Sequence, residues 1–299
     1  MNVSTTASTS LPMGIVRALR PRQWIKNVLV FAAPVAAGIF DSSDYVVRSL
    51  LAFVCFCAAS SATYLVNDAL DVESDRNHPT KRNRPIAAGV VPVRLAWVLA
   101  VVLLVASVTG AFALRRDFGL TIVAYLVNTT LYSLWLKRQP VLDIVSVAAG
   151  FVLRAIGGAT ATDLPVSEWF FIVTSFGALF MVAGKRAGEL SELGSDAARL
   201  RPVFASYSAE FLTYLRAVFS AGVLITYCLW AFASADESPP GAVWFELSIV
   251  PFAIAILRYA LLLQQGRGSE PESLVLSDAT LLAAGAAWAI IYGCAVYAS

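Results

Sequence analysis

Apolar runs of about twenty residues recur along this 299-residue chain, with only short polar connections between them. Each run is long enough to cross the hydrocarbon core of a bilayer as a helix. Inside that core every backbone N–H and C=O needs an internal partner, so helices are the structure such runs adopt. The spacing predicts about nine of them, over 25–40, 45–67, 92–114, 117–136, 140–160, 168–186, 209–232, 244–264 and 275–297. The first is short, and Pro34 predicts a kink or a break in it. With 58% hydrophobic and 14% charged residues and a mean hydropathy of +0.71, the chain reads as an all-α, polytopic integral membrane protein. No stretch is long or polar enough for a soluble domain, so residues 25–299 read as one transmembrane unit.

Residues 1–11 are rich in Ser and Thr and uncharged, the composition of a disordered tail and not of a signal peptide. Residues 13–24 (MGIVRALRPRQW) read as a short basic amphipathic helix lying at the membrane interface. Basic residues set the orientation. Sixteen fall in the N-terminal segment and the 2–3, 4–5, 6–7 and 8–9 connections, against Arg48, Arg115 and Arg116 on the other side. That bias makes the first side cytoplasmic, with the N-terminus inside, the C-terminus outside and the plasma membrane as the location. The four cysteines lie in apolar runs without zinc or disulfide spacing. A net charge of +2 carries no signal for nucleic acid.

Against this background, residues 67–75 (NDALDVESD) are conspicuous, because four acids crowd the end of an apolar run. If the helix continues through them, Asp68, Asp71 and Asp75 share one face with Asn67 beside them. Acids at a helix C-terminus oppose the macrodipole, so a purely structural role is awkward. Hard carboxylate ligands suit Mg2+, with Mn2+ as the alternative ion, and Mg2+ characteristically shares its shell with phosphate oxygens. Lys81 and Arg84 follow within ten residues and can fold back as phosphate contacts. Carboxylates for a metal followed by cations for oxyanions is the layout of a diphosphate site.

A second polar element closes the sixth run, residues 184–190 (GKRAGEL). Lys185 and Arg186 can bind an anion there, with Glu189 as their i+4 and i+3 neighbour. Asp143 and Arg154 lie within the fifth run on the same face, about 16 Å apart along the axis and too far for a direct pair. Intramembrane charges mark function by default. Asn128, Tyr132 and Lys137, near the same membrane face, are expected to line the cavity. His78, alone of its kind, sits in an exposed loop and reads as a surface residue. The chain has no Ser/His/Asp triad, Rossmann fingerprint or P-loop pattern.

The pattern N-D-x-x-D-x-x-x-D on about nine helices, with a polar loop after the sixth, resembles the UbiA superfamily of intramembrane prenyltransferases. The resemblance covers nearly the whole chain, and Asn67, Asp68, Asp71 and Asp75 match the first motif in full. It implies an all-helical bundle, an Mg2+–diphosphate site under cytoplasmic loops and a lateral opening to lipid. The superfamily's second D-x-x-x-D is absent, and Lys185 to Glu189 (KRAGE) stands in its place. That departure, with the runs R-P-R-Q-W-I-K-N (residues 20–27, including Lys26) and N-D-A-L-D-V-E-S-D-R-N-H-P-T-K-R-N-R-P (67–85), is similar to the phosphoribosyl-transferring branch of the superfamily.

What this branch implies is transfer of 5-phosphoribose from phosphoribosyl diphosphate to a polyprenyl (decaprenyl) phosphate, with pyrophosphate leaving and inversion at C1. Asp68, Asp71 and Asp75 would hold the metal, Asn67 assisting. Lys185 and Arg186 would orient the acceptor phosphate. The nucleophile is already anionic, so no general base is required. A prenyltransferase acting on a prenyl diphosphate is the alternative, and it leaves Lys185 and Arg186 without a role. A transporter leaves the clustered aspartates unexplained. Prenyl chain length stays open, as does assembly into a homo-oligomer.

Overall fold

In a computed structural model, residues 10–38, 42–268 and 271–298 are described, and every regular element among them is helical. A short helix α1 (Leu11–Leu19) leads into a 3-10 segment (Pro21–Phe31) and α2 (Ala32–Ala36). Then come α3 (Ser43–Leu70), α4 (Val72–Arg76), α5 (Val93–Leu114), α6 (Arg116–Leu134), α7 (Leu142–Thr162) and α8 (Glu168–Leu193). The chain finishes with α9 (Ala197–Leu200), α10 (Ala209–Glu237), α11 (Ala242–Gln264), α12 (Pro271–Ser277) and α13 (Ala279–Ala298).

Eight of these helices coincide with eight of the nine expected runs. Among the described residues, seven segments are long and apolar enough to cross a membrane; α6, with Arg116 and Asp117 in its first turn, is not one of them. The expected first helix takes another form. Arg20 adopts a left-handed conformation (φ 55°) and Pro21 opens a 3-10 segment of eleven residues, with Pro34 inside the five-residue α2. A 3-10 helix rises about 2.0 Å per residue, so residues 21–36 extend about 30 Å, a bilayer's hydrocarbon thickness. Residues 1–9 of the expected tail lie outside the described residues. The amphipathic stretch becomes α1, which exposes Leu11, Met13 and Val16 next to Arg17.

The central element is α7. Of its apolar window 61% is buried, more than for any other span, and it packs on α3, α6, α8 and the 3-10 segment. Small residues allow that approach. A methyl at Gly158 would strike the backbone carbonyl of Val30, and one at Gly157 the ring of Phe56. The backbone of the 3-10 segment therefore lies directly on α7, and this contact carries Asn27 to Arg154, one turn from Gly158. Cores form on either side of α7. One holds Phe56, Phe118, Ile122 and Tyr125, and the other Ile144, Val182, Phe204 and Leu212. The four cysteines are unpaired within or beside these helices.

Candidate active site

The acidic motif does not lie on one continuous helix. Helix α3 ends at Leu70; Asp71 stands in the bridge region (φ −90°, ψ 8°), and α4 restarts the chain from Val72. The break changes what the acids face. Asp68 and Asp75 are each only 2% exposed, whereas Asp71 and Glu73 point outward. Both buried carboxylates converge on one atom: Nη1 of Arg84 donates to Asp68 Oδ1 at 3.0 Å and to Asp75 Oδ2 at 2.7 Å. Arg20 adds a fork from the other side, its Nη2 donating to the two oxygens of Asp68 at 2.7 and 2.9 Å. The left-handed backbone at Arg20 aims this side chain, and its guanidinium lies 4.7 Å from the centre of the Tyr64 ring.

The loop that returns Arg84 is tied down locally. Arg76 donates to the carbonyl of Ala87 at 3.2 Å, and His78 Nδ1 accepts the backbone N–H groups of Thr80 and Lys81. His78 thus shapes the turn. Lys81 is exposed at its head, and Asn67 donates to Ser133 at 3.2 Å.

This geometry tests the fit of a divalent cation. Two buried carboxylates that meet on a single cationic nitrogen present the charge and oxygen donors a hard cation takes. No three His, Cys, Asp or Glu side chains among the described residues converge to cage an ion. Mg2+ does not require such a cage, since one or two carboxylates, water and substrate phosphate complete its shell. Asp68 and Asp75 fit as the protein's ligands, with the outward Asp71 beside them.

A second polar centre lies where α6, α7 and α8 meet. Asp143 is fully buried and Arg186 is 2% exposed. Arg186 donates to Asp143 at 2.7 and 3.0 Å, to Glu189 at 2.8 Å and to the Tyr132 hydroxyl at 3.2 Å. Arg201 reaches the same Glu189 oxygen at 2.8 Å, and Lys185 Nζ lies 4.0 Å from Glu189 Oε1. Tyr207 accepts the N–H of Val141, a β-branched residue held at φ 66°, and burial pushes its phenol up. The Arg186 guanidinium is thus occupied by two carboxylates and a phenol. The half-buried Lys137 lies in the adjoining 3-10 turn (Leu136–Arg138).

Deeper in the bundle, Arg154 is 7% exposed and, among the described residues, its hydrogen bonds go to neutral groups. It donates to Asn27 Oδ1 at 2.7 Å, to the Gly150 carbonyl at 2.6 Å and to the Tyr125 hydroxyl at 2.9 Å. Asn128 donates to the Ser146 carbonyl at 3.0 Å beside it, and Lys26 and Tyr64 are near enough to act electrostatically on Tyr125. Asp143 and Arg154 are therefore not paired, as their spacing requires. On the far side of the 3-10 segment opens an apolar cavity of about 820 Å3, walled by Leu29, Phe31, Trp169, Phe170, Trp230 and Trp288 among others.

Several participants were not singled out from the sequence as site residues. Arg20 and Asn27 sit in the run R-P-R-Q-W-I-K-N, so a signal existed. Tyr125, Arg201 and Tyr207 are ordinary residues of an apolar helix or a loop, and their role emerges only from packing.

Comparison with known proteins agrees with this architecture. The profile of the UbiA prenyltransferase family matches residues 28–282. The decaprenyl-phosphate phosphoribosyltransferase of Mycobacterium tuberculosis is 45% identical, over 99% of this chain and 98% of the relative. That of Corynebacterium glutamicum is 42% identical, over 96% and 88%. Among solved structures, a UbiA homolog from Archaeoglobus fulgidus bound to GPP and Mg2+ superposes with a TM-score of 0.71. It is 21% identical and is covered completely by 96% of this chain.

Proposed function

The chain belongs to the UbiA prenyltransferase family, and we propose that it transfers 5-phosphoribose from phosphoribosyl diphosphate to decaprenyl phosphate, releasing pyrophosphate. The observation that carries this reading is the near-complete alignment, at 42–45% identity, with relatives named for that reaction. The site's chemistry supports it. One acidic centre faces a basic loop, and at the place of the family's second acidic motif the carboxylates Asp143 and Glu189 are matched by Arg186, Arg201 and Lys185.

In this mechanism Asp68 and Asp75, with Asp71 beside them, would hold Mg2+, which would supply positive charge to the departing pyrophosphate. The chain's own groups do the rest. Arg84 and Arg20, already aimed at Asp68, provide fixed positive charge beside the diphosphate, and Lys81 extends it at the loop. A phosphate oxygen of the lipid attacks C1 of the ribose from the face opposite the leaving group. The C1–O bond to the acceptor forms as the C1–O bond to pyrophosphate breaks, so configuration inverts. The nucleophile is a phosphate anion and needs no base. Lys185 orients it, and Arg186 holds the end of α8 in place behind. Preorganised cations and the alignment of two bound anions supply the acceleration, since little other chemistry is required. Closure of the site against water protects the ribosyl centre. Asn67, Lys26, Asn128, Tyr132 and Lys137 complete the lining, and the apolar cavity takes part of the prenyl tail.

The enzyme spans the plasma membrane with this site facing the cytoplasm, N-terminus inside and C-terminus outside. Its product feeds formation of the lipid-linked arabinose donor for cell-wall arabinan. The test is purified protein in detergent with Mg2+, polyprenyl phosphate and phosphoribosyl diphosphate labelled in the ribose. Label is expected in the lipid extract and is expected to vanish with EDTA. Absence of transfer, with activity instead on a prenyl diphosphate and an aromatic acceptor, would overturn the assignment.

A further inference from the structure

Arg186 and Arg154 are withdrawn from solvent around this site and Arg84 is partly so, and their surroundings differ in one respect. Arg84 meets two carboxylates and Arg186 meets two, so both charges are compensated. Arg154, buried like Arg186, lies about 16 Å along α7 from Asp143 at 1.5 Å per residue. Among the described residues it has no carboxylate within ion-pair distance. A guanidinium withdrawn from water into low dielectric is strongly favoured by a counter-ion, and buried charges are ordinarily paired. Neutral acceptors hold Arg154 in place; they leave its charge uncancelled.

The local geometry leaves donors unspent for the missing anion. Arg154 uses one N–H on each of its three nitrogens, so Nη1 and Nη2 each keep another. The Tyr125 hydroxyl accepts from Arg154, which leaves its own proton to donate, and Asn128 Nδ2 keeps a second N–H after bonding Ser146. Two of these donors, Arg154 Nη1 and Asn128 Nδ2, border the space over Gly150. A methyl built there would meet Arg154 Nη1 at 3.5 Å and Asn128 Nδ2 at 3.8 Å, with no other atom nearer than 4 Å. A glycine in mid-helix thus leaves a small space with nitrogen donors on its open side. Toward the acidic centre, the Arg20 guanidinium lies over the Tyr64 ring and donates to Asp68. Beside Arg154, Asn27 belongs to the segment whose Ile25 and Leu29 line the apolar cavity.

We infer that Arg154, with Asn128 and Tyr125, forms a subsite for a phosphate monoester, and that Gly150 leaves the space for one of its oxygens. This rests on the proposed reaction, in which two groups have that chemistry: the 5-phosphate of the donor and the phosphate of the lipid acceptor. A tetrahedral dianion matches the spread of donors and supplies the charge that Arg154 lacks. The diphosphate end of the donor remains at Asp68 and Asp75, and an acceptor phosphate seated here is the one that Lys185 orients from its other side.

The decisive variant is Gly150→Ala. Its methyl makes ordinary van der Waals contacts and alanine is the better residue inside a helix, so the melting temperature should hold or rise. The same methyl fills the oxygen's place. At saturating co-substrate, KM for either phosphoribosyl diphosphate or polyprenyl phosphate should increase about 10- to 100-fold, the range for lost hydrogen bonds to a charged group. Whichever KM moves identifies the source of the phosphate. Arg154→Lys, which keeps charge and loses the planar fork, should move the same KM. If Gly150→Ala keeps both KM values within about threefold of wild type, Arg154 is a fastener between α7 and the 3-10 segment, and the subsite is refuted. Wild-type protein that transfers no ribose would instead sink the proposed reaction, so the two failures are separable.

Discussion

The ion pair between Arg186 and Asp143 offers the sharpest test of how this site is framed. Both side chains are withdrawn from solvent, at 2% and 0% exposure, and are joined by two hydrogen bonds of 2.7 and 3.0 Å. Replacing Arg186 by Met leaves a buried carboxylate that keeps, among the described residues, the Tyr132 hydroxyl as its side-chain donor. Breaking such a pair from one side costs about 3–5 kcal/mol. For a chain of this size that corresponds to a fall in melting temperature of about 6–20 °C. Asp143→Leu should cost a similar amount by orphaning the guanidinium, though Glu189 still holds one end of it. The double variant removes both charges and should recover most of the loss, giving a strong coupling in a double-mutant cycle. Tryptophan fluorescence melts in detergent measure the stabilities, and initial rates give KM for polyprenyl phosphate. The double variant should keep that KM within about threefold, because four of the five Arg186 N–H groups already meet protein acceptors. An Arg186→Met protein that melts like wild type but shows KM raised tenfold would refute this account and make Arg186 a direct substrate contact.

The acidic centre yields two contrasting outcomes. Asp71→Asn, at an exposed position, should lower turnover about 100-fold with an unchanged melt, as loss of a metal-directed carboxylate predicts. Asp75→Asn should cost both turnover and about 1–3 kcal/mol of stability, because the buried partner of Arg84 is lost. Gly158→Ala should destabilise by about 1–3 kcal/mol in the same melts, since its methyl meets the rigid carbonyl of Val30. At the start of α13, hydrogen bonds from Arg258, then the N–H of Leu281, hold the Asp278 carboxyl down at about 2. Its contribution is therefore full above pH 4 and fades as pH falls toward 2. Melts of Asp278→Asn and wild type should differ at neutral pH and converge across that window.

Eight helices could be placed from hydropathy because an apolar run of bilayer length has few other ways to satisfy its backbone. The first segment escaped that logic. Its residues are apolar enough to enter the membrane, yet a left-handed Arg20, Pro21 and contact with Gly158 accompany a stretched 3-10 path in place of an α-helix. Hydropathy counts residues, and it is blind to a rise of 2.0 instead of 1.5 Å per residue. The choice of path matters for the site, since a 3-10 register delivers Asn27 to Arg154 and leaves Leu29 and Phe31 on the cavity wall.

For the site itself, residue type was legible and pairing was not. Helical periodicity put Asp68, Asp71 and Asp75 on one face, and a break at Asp71 turned two inward and one outward. Lys185 and Arg186 are adjacent in sequence and chemically alike. One turn direction on α8 leaves Lys185 half-buried beside Glu189, and the other sinks Arg186 against Asp143, which lies 43 residues away. No local pattern announces which arginine will find an acid. The useful quantity is the balance of each buried charge, and only packing reveals it: Arg84 and Arg186 are answered within the chain, while Arg154 is left for a ligand to answer.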